Sequence, residues 1–83
     1  MAFRIEISEL AAEKLRKLDK PVRERIAAKL RKVALDPARH LTRLSSVEAF
    51  KLRVGDYRAI VDVDWDGKVL YILTAGHRRT VYR

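Results

Sequence analysis

The chain has 83 residues, 48% of them hydrophobic, with no cysteine and a formal net charge of +8. This composition predicts one small globular domain over residues 1–83 and excludes disulfides and thiolate metal sites. No apolar run approaches the roughly 18 to 20 residues that cross a bilayer, and no signal peptide opens the chain, so we expect a soluble, cytoplasmic protein without membrane contact. His40 and His77 lack metal-ligand spacing, and neither a metal nor another cofactor is predicted.

The excess of positive charge is the strongest global clue to function. A basic surface attracts polyanions and gains free energy by releasing their counterions, so phosphate-bearing partners or an acidic protein partner are indicated. The alternative is an ordinary solvated surface from an organism that favours Lys and Arg.

The first half of the chain predicts one strand followed by a helical hairpin. Residues 3–7 alternate between apolar and polar side chains, as a strand with one buried face does. Ser8 is a suitable N-cap for a first helix, and Asp19-Lys20-Pro21 marks the start of a second, which Asp36-Pro37 ends. The apolar positions of this hairpin, about residues 9 to 36, recur at helical spacing: Leu10, Ala11, Leu15 and Leu18, then Val22, Ile26, Leu30 and Val33.

The second half predicts three short strands, after a connection at residues 38–49 that lacks a sustained period. Asp66-Gly67 is a two-residue hairpin signal, because both residues tolerate positive φ, and Gly55-Asp56 predicts another tight turn. These turns give a register that pairs Val63 with Leu70, Val61 with Ile72, Arg58 with Ala75, Arg53 with Arg58 and Lys51 with Ile60.

Alternation of side chains along these strands predicts one apolar face and one basic face. The apolar face, expected to pack against the helices, holds Phe50, Leu52, Val54, Ala59, Val61, Leu70 and Ile72. The face expected to stay open holds Lys51, Arg53, Arg58, Ile60, Tyr71, Leu73 and Ala75, with His77 continuing the same parity.

The predicted pairing of Arg53 with Arg58 on the open face is unfavourable on its own. Like charges directly opposite on neighbouring strands repel. An anion between two guanidinium groups reverses the sign of the interaction, and phosphate matches their fork geometry. Two long side chains that splay into water are the alternative.

The C-terminal segment carries further cations and a histidine. Gly76 is expected to bend the last strand and to let Arg78 swing toward the basic face despite its parity. His77, beside Arg78 and close to Arg58, is then a plausible proton donor or acceptor. Tyr82 fits equally well as part of this site or as a core aromatic that fixes the C-terminus.

Three stretches of this sequence resemble the RelE/ParE superfamily of toxins from type II toxin–antitoxin systems, and specifically its RelE branch. They are residues 50–58 (FKLRVGDYR), the Asp66-Gly67 hairpin and residues 76–83 (GHRRTVYR). The order of one strand, two helices and three strands also agrees. The resemblance implies an α+β fold in which a helical hairpin packs on one face of a mostly antiparallel four-stranded sheet.

The resemblance also implies a function. RelE-branch toxins are ribosome-dependent mRNA endoribonucleases that need no metal, and a cognate RelB-like antitoxin neutralises them, with a heterotetramer as one form of the complex. Two alternatives stay open. A ParE-like toxin would bind DNA gyrase without nuclease chemistry, and a degenerate toxin would serve mainly as a scaffold for its antitoxin.

Matched by position, the resemblance also assigns roles to individual residues. Lys51 matches a catalytic lysine, Arg58 and Arg78 match arginines that hold the phosphate, and Tyr82 matches a terminal tyrosine that orients the substrate. Arg53 and Arg79 are expected to support substrate binding. Ala49 stands where many RelE toxins carry a second lysine, which leaves the general base open between Glu48 and His77.

Overall fold

The computed structural model describes residues 2–44 and 49–81. The alternating N-terminal residues form strand β1 (Arg4–Ile7), and helix α1 (Glu9–Arg16) follows directly. The hydroxyl of Ser8 accepts a hydrogen bond from the Ala11 N–H at 3.0 Å, so the predicted N-cap is confirmed.

The second helix of the hairpin, α2, spans Lys20–Leu35, and a short helix α3 (Pro37–His40) follows it. Asp19 occupies the N-cap position, although its side chain makes no capping hydrogen bond. The predicted stripe of Ile26, Leu30 and Val33 is buried. On α1 the stripe is only partly correct, because Ala11 is fully buried whereas Leu10 is 52% exposed.

The described residues form a sheet of five strands, in the order β1-β5-β4-β3-β2. Strand β1 is parallel to β5, and all other neighbours are antiparallel. The predicted count of four strands is wrong, because two residues of the connection pair with the edge of the sheet, and two residues are too few to show a period. The remaining strands are β2 (Thr42–Arg43), β3 (Phe50–Val54), β4 (Tyr57–Asp64) and β5 (Val69–His77).

The register around the β3–β4 turn agrees with the prediction. Arg53 pairs with Arg58, and Gly55 takes a positive φ of 59° in the turn between them. The β4–β5 turn differs in type, since it has four residues, 65–68, and its positive φ falls on Lys68. A four-residue loop about the same centre gives the same pairing as a two-residue loop, so Val63 still faces Leu70.

A β-bulge in β5 changes the register in the second half of the β4–β5 ladder. Val61 pairs with Ile72, but Ile60 pairs with Thr74, which leaves Leu73 as the extra residue. The hydroxyl of Ser8 donates a hydrogen bond to the Leu73 carbonyl oxygen at 2.8 Å, and this bond holds the bulged residue.

The bulge reverses the alternation predicted for the end of β5. Arg58 pairs with Gly76, so the predicted pairing of Arg58 with Ala75 is wrong. Ala75 is 2% exposed and belongs to the hydrophobic core, on the opposite face from the one expected.

The helices cover one face of the sheet, as predicted. Core side chains from strands and helices meet there, and the largest that are fully buried are Leu52, Leu70, Ile72, Val33 and Val61. Of the helices in the described residues, none has the length and apolar character to cross a membrane.

Candidate functional site

Three cations lie at one end of the open face, the face that the helices leave uncovered. Arg53 is exposed and directly opposite Arg58, which is half-buried, and Lys51 is half-buried two positions along β3 from Arg53. That spacing corresponds to about 6.6 Å along the strand. We call Lys51, Arg53 and Arg58 the basic end of the open face.

The charges of the basic end have no acidic partner in residues 2–44 and 49–81. The ion pairs found there lie elsewhere and join Arg4 to Glu6, Lys17 to Glu13, and Lys20 to Glu24. The Arg58 guanidinium makes one long hydrogen bond, 3.4 Å from Nη1 to the Tyr57 carbonyl oxygen. Because a guanidinium carries five N–H donors, Arg58 retains donors for an anionic ligand.

The backbone of Arg78 is fixed beside the basic end. Its N–H donates to the Asp56 carbonyl oxygen at 2.8 Å, so the segment after β5 is bound to the β3–β4 turn. Strand β5 continues through Gly76 to His77, and the expected bend at Gly76 is absent. The bulge at Leu73 instead places Gly76, two positions before Arg78, opposite Arg58 on the open face.

His77 does not belong to the open face, contrary to the prediction. It pairs with Tyr57, whose parity is that of the core face, and the two rings meet edge to face with centroids 5.4 Å apart. His77 lines a depression against α1 together with Lys14 and Lys17. The bulge at Leu73 is the physical reason, because one extra residue moves every later side chain of β5 to the other face.

His77 has a structural role in the C-terminal turn. Its Nδ1 accepts a hydrogen bond from the Arg79 N–H at 3.2 Å. Its carbonyl oxygen accepts bonds from the N–H groups of Thr80 and Val81. Arg79 is exposed on this turn. Glu48 and Tyr82, the other predicted site residues, lie outside the described residues.

The opposite end of the open face carries carboxylates. Asp62 and Asp64 are exposed and have the parity of Arg58 on β4, and Glu6 flanks Tyr71, which pairs with Asp62. We call Glu6, Asp62 and Asp64 the acidic end. The sequence contained a signal for the acidic end, because Arg58, Asp62 and Asp64 share one parity along β4. The net positive charge of the chain hides this separation of basic and acidic residues.

A second group of cations borders the basic end and was not predicted. A depression of about 460 Å³ lies beside the edge of the sheet. Its lining comes from four elements, α2, α3, β2 and β3, and consists of Lys29, Arg39, His40, Thr42, Lys51 and Arg53. We call it the basic depression. By contrast, no three His, Asp or Glu side chains converge as metal ligands in the part of the chain that the structure describes.

Comparison with known proteins identifies the family. Residues 5–82 match the sequence model of the family described as ParE toxin of type II toxin–antitoxin system, parDE. None of the curated protein sequences matches the chain significantly.

Solved structures with the same fold come from bacteria and archaea. A chain of the RelBE2 toxin–antitoxin complex from Mycobacterium tuberculosis is 21% identical, with a TM-score of 0.87 over 94% of this chain and 93% of that chain. A chain of the RelE–RelB complex from Pyrococcus horikoshii is 25% identical, with a TM-score of 0.81 and coverage of 98% and 100%. A chain of the intact E. coli RelBE complex is 27% identical, with a TM-score of 0.77 and coverage of 92% and 96%.

Proposed function

Since the chain belongs to the family of ParE toxins of type II toxin–antitoxin systems, we propose that it inhibits translation as a ribosome-dependent mRNA endoribonuclease of the RelE type. The observation that carries the proposal is the basic end, where Arg53 and Arg58 face each other without an acidic partner among the described residues. A gap between two guanidinium groups suits one phosphodiester.

The proposed reaction is an internal transesterification at one phosphate of the mRNA. The ribose 2′ oxygen loses its proton to a base and forms a bond to the adjacent phosphorus. The bond from phosphorus to the 5′ oxygen breaks, and that oxygen takes a proton. The products are a 2′,3′-cyclic phosphate and a free 5′-hydroxyl.

Stabilisation of charge is the task for which the site is best suited. The phosphorus-centred transition state carries more negative charge than the substrate, and fixed cationic donors stabilise that charge. We assign this role to Arg58, with Arg78 beside it and Arg53 as a substrate-binding partner. Lys51 is a primary ammonium next to Arg53 and is assigned the proton transfer to the leaving 5′ oxygen.

The remaining roles are those of the general base and of the residues that orient and bind the RNA. His77 faces the core side of the sheet, away from the basic end, so its assignment as general base loses its support. This leaves Glu48, three positions before Lys51, as our candidate base. Tyr82 is proposed to orient the substrate, and Arg79 on the C-terminal turn to support RNA binding.

The proposed partners follow from the same family. The three similar structures described above were solved as complexes of toxin with antitoxin. We propose that a RelB-like antitoxin neutralises this chain, in a heterotetramer with two copies of each protein. The ribosome is proposed to position the mRNA, because the open face, as far as the described residues form it, offers cations but no enclosed pocket that would select a base.

A second candidate function is inhibition of DNA gyrase by binding alone. The family description, which names ParE, favours it. The basic end argues against gyrase inhibition, because a protein that only binds gyrase has no need for two facing arginines beside a lysine. A degenerate toxin that acts as an antitoxin scaffold is the third candidate, since Ala49 replaces a lysine common in RelE toxins.

Primer extension on mRNA in a reconstituted translation reaction tests the proposal. The wild-type chain is expected to cut mRNA at the codon in the ribosomal A site, and Arg58→Ala is expected to cut at least about 10²-fold more slowly. Arg31→Ala, an equal loss of charge on an exposed position of α2, is the matched control and should cut at the wild-type rate.

A parallel supercoiling assay with purified gyrase separates the candidates. Intact mRNA together with inhibited supercoiling would replace the nuclease proposal by the ParE-like one. Intact mRNA and uninhibited supercoiling, together with growth that continues during over-expression, would favour the scaffold.

A further inference from the structure

We infer that the basic depression binds a second backbone phosphate of the RNA, next to the one held between Arg53 and Arg58. The depression opens beside the sheet edge and shares Lys51 and Arg53 with the basic end. The inference rests on the proposed function, because that function supplies RNA as the ligand.

The charge of the basic depression indicates an anionic ligand. Five of its six lining residues are basic and the sixth is a threonine. No ion pair of the described residues involves any of them. Lys29, His40 and Lys51 are also half-buried, so these basic groups converge where water screens them less than at an open surface. A bound anion offsets the repulsion that this convergence creates.

The chemistry of the lining favours a phosphate of RNA over an acidic peptide. Arg, Lys and Thr side chains are among the groups that contact nucleic-acid phosphates. An imidazole such as that of His40 can in addition stack on an unpaired base. Protein partners instead bury an apolar core at their interfaces, and no apolar side chain among residues 2–44 and 49–81 lines this depression.

The distribution of charge over the open face indicates the path that the RNA strand takes from the basic end. From Arg53 the RNA strand passes Lys51 and then reaches Thr42, because Thr42 of the edge strand β2 pairs with Lys51. On the other side of β3, away from the edge strand, strand β4 carries Asp62 and Asp64, which repel phosphate. The strand is therefore expected to leave the basic end through the basic depression.

Binding of an uncleavable RNA tests the inference without any need for catalysis. The probe is a fluorescent 12-nucleotide 2′-O-methyl RNA, and its affinity is measured by anisotropy at several salt concentrations. Lys29→Ala/Arg39→Ala removes two cations of the basic depression that are not part of the basic end. Arg16→Ala/Arg31→Ala removes the same charge from exposed helical positions and is the matched control.

The salt dependence carries the decisive result. Each phosphate neutralised on a single strand contributes about 0.7 to the slope of log affinity against log salt concentration, so loss of the second phosphate in Lys29→Ala/Arg39→Ala is expected to reduce the slope by about 0.7. The control should keep the wild-type slope. Lys29→Gln/Arg39→Gln, which retains polar side chains, should behave like the alanine variant, and circular dichroism confirms that each variant is folded.

Two results would overturn the inference. Equal slopes for the depression variants and the control would show that these cations contact no phosphate. Loss of binding to a decaglutamate peptide, with RNA binding retained, would assign the depression to an acidic protein instead.

Failure of the inference and failure of the proposed function remain distinguishable. If Arg58→Ala abolishes ribosome-dependent cleavage while the depression variants bind RNA normally, only the inference fails. If the depression variants lose RNA affinity but the wild type never cuts mRNA, the phosphate site stands and the nuclease proposal fails.

Discussion

The two ends of the open face differ in charge although they share the same strands. Strand β4 contributes Arg58 to the basic end and Asp64 to the acidic end, six residues apart, which corresponds to about 20 Å. Both ends are solvent-accessible and neither is covered by a helix. The ends differ in the sign of their charge and therefore in what each attracts, and Arg58 is half-buried whereas Asp64 is exposed.

This comparison changes the meaning of the net charge of +8. A uniformly basic face would hold a polyanion without preference for position or direction. A face that is basic at one end and acidic at the other attracts phosphate to one end and repels it from the rest. The bulged residue Leu73 marks the boundary between the basic end and the acidic end, since the register of β4 against β5 changes between Ile60 and Val61.

The largest effect is expected on the rate of mRNA cleavage, when loss of Arg78 beside the basic end is compared with loss of a carboxylate at the acidic end. Arg78→Ala should slow ribosome-dependent mRNA cleavage by at least about 10²-fold, because it removes a cation that stabilises the transition state. Asp62→Ala changes charge on the same face and should cause no loss. Primer extension measures both rates, and equal losses would end the distinction between the two ends.

The next largest effect is expected on stability at Ser8, whose hydroxyl connects the start of α1 to the bulged residue Leu73. Ser8→Ala removes the N-cap bond and the bond to the Leu73 carbonyl, and should lower the free energy of unfolding by about 1–2 kcal/mol. For a domain of this size the melting temperature should fall by roughly 4–8 °C per kcal/mol. Calorimetry checks this, with Ser8→Thr as a control that keeps the hydroxyl. An unchanged melting temperature in Ser8→Ala would mean that the bulge does not depend on these bonds.

A smaller effect of opposite sign is expected at the pair of facing arginines. Arg53→Thr removes the repulsion across the β3–β4 ladder and should raise the free energy of unfolding by about 0.2–1 kcal/mol, while it weakens RNA binding. Arg43→Thr on the edge strand, where the partner is Phe50, should give no such gain. Urea unfolding and RNA anisotropy measure the two quantities. A variant that loses stability and keeps RNA affinity would contradict a functional reason for the pair.

The smallest effect is expected at the acidic end. Asp62→Asn/Asp64→Asn should raise RNA affinity at low salt, because it removes repulsion, and the gain should vanish near 1 M salt, where the Debye length is about 3 Å. Asparagine keeps an oxygen that can accept the bond from the Gly67 N–H to Asp64. The control, Glu13→Gln/Glu24→Gln, makes the same charge change on the helices. An equal gain in the control would show that only net charge matters.

Much of the core was predictable because its signals are local. The period of Ile26, Leu30 and Val33 sets the buried stripe of α2 through helix geometry alone. The Gly55-Asp56 turn sets the pairing of Arg53 with Arg58, because a tight turn fixes the register of the strands that it joins. Strand β2 was missed, since two residues carry no periodicity.

The candidate site was predictable only in part. Lys51, Arg53 and Arg58 lie close to a turn that the sequence identifies, and their shared face followed from alternation. The other members of the basic depression, Lys29, Arg39, His40 and Thr42, lie on separate elements that meet through packing of α2 and α3 beside β3. A sequence pattern contains no information on such a meeting.

The sequence by itself determined the order of the first strand, the helical hairpin and the last three strands, the buried stripe of α2 and the facing arginines, because each depends on neighbours within a few residues. Only the tertiary structure decided the end of β5. There the Ser8 hydroxyl holds the carbonyl of a residue 65 positions away, and the resulting bulge reverses the alternation that local pattern would continue. That single inserted residue places His77 on the core side and Gly76, two positions before Arg78, on the open face.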